Sequence, residues 1–346
     1  MSPISSKKSK RSSGLNKTFI VLLVLVGGCS AHQPVIELAE RRPVDLAEVP
    51  FYPQEDYQCG PAALATLLGA SEVPVTPEQL VPQIYVPQRR GSFQIELIAT
   101  TRKYARIPYV IDPDMDHLLD ELDMGRPVLV LQNLGVKNKP IWHYAVVNGY
   151  DPLSQELYLR SGTEPKKVVS MSWFYRTWQL AGMWALVALK PSESPANLDQ
   201  EKHIKSVVAM ETVQSPTFML EAYSSFAQLF PNNSIAALGL ANAYLRNNEV
   251  NHAIRLYHQL ITANPNDVAA RNNLAMALGD AGCYEDAVSE AQKAIVLAQE
   301  TNIFLFESEQ TLAELIEAKE EEYRAALDAS RCELASDRLD ESNNWP

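Results

Sequence analysis

The chain has 346 residues, 46% of them hydrophobic and 21% charged, which is ordinary for a globular protein and long enough for two domains with cores of their own. Its formal net charge of -12 speaks against a nucleic-acid partner, which would call for a basic surface. The 4 cysteines and 6 histidines lack the paired short spacings of a zinc site, and there is no phosphate-cradling glycine loop, so no metal and no cofactor is expected.

Residues 1–28 hold Lys7, Lys8, Lys10, Arg11 and Lys17 and no acid, so their removal takes the charge of -12 down by five to -17. Phe19 to Val26 is an apolar run too short to span a bilayer as a helix, and it suits a signal-peptide core. Val26-Gly27-Gly28-Cys29 resembles the lipobox of bacterial lipoproteins, with Val26 where a leucine is usual. That resemblance implies lipidation of Cys29 as the first mature residue. Ser30 after it implies sorting to the periplasmic side of a Gram-negative outer membrane, with the lipid anchor as the only membrane contact. Three cysteines then remain, and in an oxidising compartment at least one thiol stays unpaired. Cys283 and Cys332 could pair with each other, which leaves Cys59 as the natural free thiol.

Residues 29–48 are mixed and proline-bearing and read as a tether. From Gly60 the run Pro-Ala-Ala-Leu-Ala-Thr-Leu-Leu predicts a helix with proline in its first turn, ending near Gly69, so Cys59 stands at a helix N-terminus. A short helix is expected around Glu78 to Leu80, a second from Ser92 to Tyr104, a strand over Ile107 to Ile111, and a helix over Met115 to Leu122 capped by Asp112 or Asp114. Five strand candidates follow: Pro127 to Gln132, Trp142 to Tyr150, Glu156 to Arg160, Lys167 to Met171 and Met183 to Leu189, with a helix from Ser172 to Leu180 before the last. Helices first and an antiparallel sheet afterwards predict an α+β domain over 49–190. The polar, proline-bearing stretch from Lys190 opens a linker, taken as 191–214.

Past the linker the sequence repeats. Ala237, Leu240, Ala241, Tyr244, Ala253, Tyr257 and Leu260 recur 34 residues later as Arg271, Leu274, Ala275, Leu278, Ala287, Ala291 and Ala294. That period and its small packing residues resemble the tetratricopeptide repeat, a pair of antiparallel helices stacked on the next pair. The resemblance implies an all-α solenoid over 215–330 with two full repeats and a preceding half, whose concave face binds a partner protein or peptide. Leu278 replaces the usual tyrosine, and no proline closes the second repeat. A Glu- and Ala-rich helix from Phe304 to Ala329 suits a polar cap, and 331–346 reads as a disordered tail.

A thiolate is stabilised at a helix N-terminus, and it is the form that attacks carbonyl carbon. Taken alone, Cys59 fits equally a small buried apolar residue. The thiol needs a base that also protonates the leaving amine. His143, opening the apolar run Tyr144 to Val147, is the histidine at the mouth of a buried strand in the same predicted domain, although a core or edge histidine is the commoner fate of such a residue.

Gln54, then Tyr57-Gln58-Cys59-Gly60-Pro61-Ala62-Ala63-Leu64, then His143-Tyr144-Ala145-Val146-Val147 and Gly149-Tyr150, together resemble the papain-like double-glycine leader peptidases and their stand-alone relatives, over about Val49 to Lys190. The resemblance implies a papain-like α+β cysteine peptidase domain with Cys59 as nucleophile, His143 as base and acid, and the Gln54 amide at the oxyanion. Gln54 stands five residues before Cys59, where six is usual. The family's histidine-orienting Asp or Asn has no counterpart in Leu159-Arg160-Ser161-Gly162, which leaves Asp151, in an Asp-Pro turn, or the Ser161 hydroxyl. The expected function is a lipid-anchored cell-envelope cysteine peptidase acting on a peptide or protein substrate. The alternative is an inactive papain-like fold serving as a scaffold.

Overall fold

The computed structural model describes residues 38, 40–53, 59–89 and 91–322. The expected signal peptide, Cys29, Gln54, Cys332 and the expected tail lie outside these residues. The elements in chain order are β1 (Val44–Asp45), α1 (Cys59–Ala70), α2 (Pro77–Ile84), α3 (Gln94–Lys103), β2 (Ile107–Val110), α4 (Met115–Asp123), β3 (Val128–Asn133), β4 (Trp142–Asp151), β5 (Glu156–Ser161), β6 (Glu164–Ser170), α5 (Met171–Gln179) and β7 (Ala185–Leu189). Helices α6 (Gln200–Val208), α7 (Pro216–Leu229), α8 (Ser234–Arg246), α9 (Val250–Ala263), α10 (Val268–Asp280), α11 (Tyr284–Thr301) and α12 (Leu305–Glu322) follow. No helix among the described residues is long and apolar enough to cross a membrane.

The first part is an α+β domain built on one antiparallel sheet of order β2-β7-β3-β4-β5-β6. Alternation along β3 and β4 sends Leu129, Leu131, Tyr144 and Val146 to one face, where they pack with Leu64, Leu67 and Leu68 of α1. Every α1 residue from Gly60 to Leu68 is buried, so the helix has no solvent face. Its composition explains this, since Ala, Leu, Gly and Thr leave no polar stripe for water. The opposite face of the sheet carries α5, whose Thr177 hydroxyl accepts from Gln132 Nε2 at 2.8 Å.

Two stretches differ from expectation. The expected tether, 29–48, is packed on the domain over its last residues. Asp45 and Val44 pair with Gly149 and Tyr150, prolonging the β3 side of β4, and Arg41 binds the carboxylates of Asp120 (2.7 Å) and Asp123 (2.6 Å) on α4. Gly149 permits the pairing, because a Cβ there would strike the Val44 carbonyl oxygen and stand 3.0 Å from Asp45 Cα. The expected linker, 191–214, contains α6, whose Asp199 side chain caps it by accepting from Lys202 N–H at 2.9 Å. His203, Ile204 and Val207 of α6 are buried, and α6 packs on β2.

With α6 present, the helix starts Gln200, Ser234 and Val268 are 34 residues apart, as are Pro216, Val250 and Tyr284. Three helix pairs therefore share one period, and small residues set their approach. A Cβ on Gly239 of α8 would strike the Tyr223 ring of α7, and one on Gly279 of α10 would strike Leu315 of α12. The C-terminal part is thus a helical array, and its first pair joins the sheet domain through His203, whose ring meets Tyr109 of β2 edge-on at 6.1 Å and Phe226 of α7 at 5.3 Å.

His203 is 3% exposed and its Nδ1 finds no hydrogen-bond partner among the described residues. Burial pushes its pKa down from 6.5 to about 4. The unfolded chain therefore binds this proton more readily than the folded one. The part of the stability that rests on this group is full above about pH 6.5 and falls by about 3 kcal/mol as the pH drops to about 4. His203→Phe, which keeps an aromatic ring in the same place, is expected to flatten the acid side of the unfolding free energy measured against pH. An unchanged slope would show that other groups set it.

Candidate active site

Cys59 is the first residue of α1, and the buried helix behind it fixes where the thiol goes. Burial pushes the thiol up from its ordinary 9.0, while backbone N–H groups of Tyr144, Gly60 and Cys59 itself donate to the sulfur and oppose that rise. The last two are the unpaired amides of a helix start. The first comes from the residue after His143, so the sulfur lies against the His143–Tyr144 peptide group. Gly60 makes the neighbourhood close, because a Cβ there would stand 2.6 Å from Ser92 Cβ. The Tyr144 hydroxyl donates to the Ser92 carbonyl at 3.2 Å. Three segments, the start of α1, the start of β4 and the turn before α3, are thereby held together around the thiol.

His143 is the second residue of β4 and pairs with Gln132 of β3. Its Nε2 lies 2.8 Å from Ser161 Oγ, the last residue of β5. Nδ1 is thus the ring nitrogen that Ser161 does not engage. Burial, and next the Lys167 ammonium, push the imidazole down from 6.5 to about 4. The resting site therefore holds a neutral imidazole and a protonated thiol at neutral pH. A hydroxyl on Nε2 brings no negative charge to support an imidazolium, as a carboxylate would.

Asp151 is not brought to this place. It closes β4 eight residues from His143, about 26 Å along the strand at 3.3 Å per residue. Its carboxylate accepts from Leu153 N–H at 2.8 Å and from Ser154 N–H, which is the turn role of an Asp-Pro pair. Of the predicted site residues, Cys59 lies against the Tyr144 N–H, one residue on from His143 at the start of β4, Asp151 stands apart, and Gln54 lies outside the described residues. Among the described residues no cluster of three His, Cys, Asp or Glu side chains could hold a metal ion.

Sequence reasoning passed over three residues near the site. Arg160 is buried and donates to the carbonyls of Val49 (3.0 Å), Ala47 (2.7 Å) and Pro165, anchoring the segment that leads towards Cys59. Ser92 abuts Gly60 with a buried hydroxyl that has no partner among the described residues. Lys167 acts on His143 through its charge. Only Arg160 carried a signal, as a charged residue inside an otherwise apolar strand.

No curated protein matches the chain. Among solved structures it is similar to a proposed C39-like peptidase from Bacillus anthracis, at 19% identity and TM-score 0.36, covering 43% of this chain and 98% of that one. It is also similar to a double glycine motif protease from an AMS/PCAT transporter, solved with the leader peptide, at 21% identity and TM-score 0.32, covering 43% of this chain and 98% of that one. The peptidase domain of Streptococcus ComA, a bi-functional ABC transporter of a quorum sensing pathway, gives 21% identity and TM-score 0.33 over 41% of this chain and 98% of that one. Residues 46–185, which take in Cys59, His143 and Ser161, match the model of the Peptidase_C39 like family.

Proposed function

We propose that the protein is a cysteine peptidase in which Cys59 attacks the peptide carbonyl and His143 moves the proton. The observation that carries this reading is the meeting of a helix-start thiol with the His143–Tyr144 peptide, inside the segment that matches a peptidase family model. With its Nε2 proton donated to Ser161, His143 takes the Cys59 proton on Nδ1 as sulfur bonds to carbon. The oxyanion is met by the Cys59 N–H and the Gln54 amide. The imidazolium then protonates the leaving amine, and the thioester is hydrolysed by a water that gives its proton to the same nitrogen, releasing the acid and restoring the thiol.

A second reading is favoured by the raised thiol and the absence of a carboxylate at His143 Nε2: an idle papain-like fold that binds peptides without cleaving them. A thiol-reactive peptide probe separates the two. The peptidase reading expects labelling of Cys59 that disappears in His143→Ala, whereas labelling indifferent to His143 favours the scaffold.

The pH profile offers a further check. A base at about 4 and a thiol raised above 9.0 give a kcat/KM that rises through about pH 4 and stays level across neutrality. Ser161→Asp, which supplies the missing charge, is expected to move that acid limb upward and raise kcat at neutral pH roughly tenfold or more. An acid limb near 6.5 in the wild type, unmoved by Ser161→Asp, would contradict this assignment.

The chain is further read as lipid-anchored through Cys29 at the periplasmic side of the outer membrane, with tetratricopeptide-type helix pairs recruiting a substrate or partner protein on their concave face. The 34-residue spacing of the helix starts supports the second half of this reading. Palmitate incorporation lost in Cys29→Ala would support the anchor, and equal labelling of the variant would refute it.

A further inference from the structure

His143, Ser161 and Lys167 stand on the neighbouring strands β4, β5 and β6. Val147 pairs with Leu159, and Leu159 with Lys167, so these three share one face of the sheet. His143 lies four residues from Val147, and Ser161 two from Leu159, so both point to that same face. Register therefore makes Lys167 a diagonal neighbour of Ser161 on that face, across the irregularity that pairs Ser161 itself with Glu164.

The other cations nearby are committed. Lys166 on the opposite face binds Asp45 at 2.6 Å and lies over the Tyr158 ring at 4.1 Å, and the Arg160 guanidinium is spent on backbone carbonyls. Lys167 differs. Among the described residues the carboxylate it meets is Glu164, at a loose 3.9 Å, and that side chain is 61% exposed. Lys167 itself keeps about a third of its side chain (35%) in contact with solvent. An ammonium about a third exposed with one weak partner, on the sheet face where the histidine sits, is suited to receive an anion.

We propose that Lys167 is a specificity-determining residue: the peptide attacked by Cys59 carries a carboxylate beside the scissile bond, and the Lys167 ammonium receives it. This rests on the peptidase reading and adds the substrate class to it. The carboxylate is an acidic side chain or the free C-terminus of the peptide, two sources with one chemistry. Its docking also has a consequence for catalysis. Neutralising the Lys167 charge removes one of the two causes that hold down the His143 basicity, so a matching substrate strengthens the base that acts on it.

The test compares alkylation of Cys59 in the full chain by iodoacetate, an anion, and iodoacetamide, its neutral counterpart, with the modified residue mapped by mass spectrometry. The iodoacetate-to-iodoacetamide rate ratio at Cys59 is expected to exceed that of the same cysteine in the denatured chain. It should fall in Lys167→Gln and fall roughly tenfold in Lys167→Glu, with the differences shrinking as salt is added. A ratio no higher than in the denatured chain, or one unmoved by Lys167→Glu, overturns the proposal. End-blocked peptides with Glu or Gln beside the cleaved bond, and the Gln peptide with a free C-terminus, then distinguish the two carboxylate sources. Alkylation needs no turnover, so a failure of this proposal and a failure of the peptidase reading are told apart.

Discussion

The burial of α1 along its length is the constraint on which the rest depends. From Gly60 to Leu68 each residue is enclosed, by the Tyr144 and Val146 face of the sheet, by α2 and α3, and at Gly69 by Pro50, whose Cγ a Cβ there would approach to 3.0 Å. Burying the large apolar side chains of such a helix is worth about 1.5–3 kcal/mol each, so the helix cannot shift along its axis without a large loss. Its first residue is therefore held at one place, against the start of β4. The position of the Cys59 thiol is a consequence of the packing behind it.

The same burial opposes the chemistry it positions. It raises the thiol and lowers the imidazole, both in the direction of the neutral pair. Three backbone N–H groups pull the other way at sulfur, and Ser161 fixes the ring without adding charge. Both groups are therefore held in their neutral forms at neutral pH, and in the proposed reaction the proton transfer waits for a substrate that excludes water and changes the local field. A carboxylate at Ser161 would tip this balance towards a resting ion pair, and under the proposal an anion at Lys167 would tip it only while bound.

Much of this was legible in the sequence, for identifiable reasons. The helix at Cys59, α4 with a cap at Asp112 or Asp114, β3, β4 and the 34-residue period each carry strong local patterns; the structure holds these elements and makes Asp114 the cap. β1 was not legible, because a two-residue strand has no periodicity and its pairing depends on a missing Cβ at Gly149. α6 was hidden by its proline-bearing flanks and short length, although counting 34 residues back from Ser234 lands on its first residue. At the site, the loss of the usual carboxylate was visible. Which group replaces it was not, since the choice between Asp151 and Ser161 turns on cross-strand register and on the irregularity between Val147 and Gly149. Lys167 escaped for the same reason, because its face is set by pairing with Leu159.

The central claim is that Cys59 and His143 act as one acyl-transfer unit. Pre-steady-state reaction of the full chain with an activated peptidyl nitrophenyl ester tests it most directly. The account predicts a burst of nitrophenolate approaching one equivalent, a thioester adduct on Cys59 by acid-quenched mass spectrometry, and loss of the burst in both Cys59→Ala and His143→Ala. Release of nitrophenolate at the same rate in Cys59→Ala, or an acyl group mapped to another residue, would contradict it.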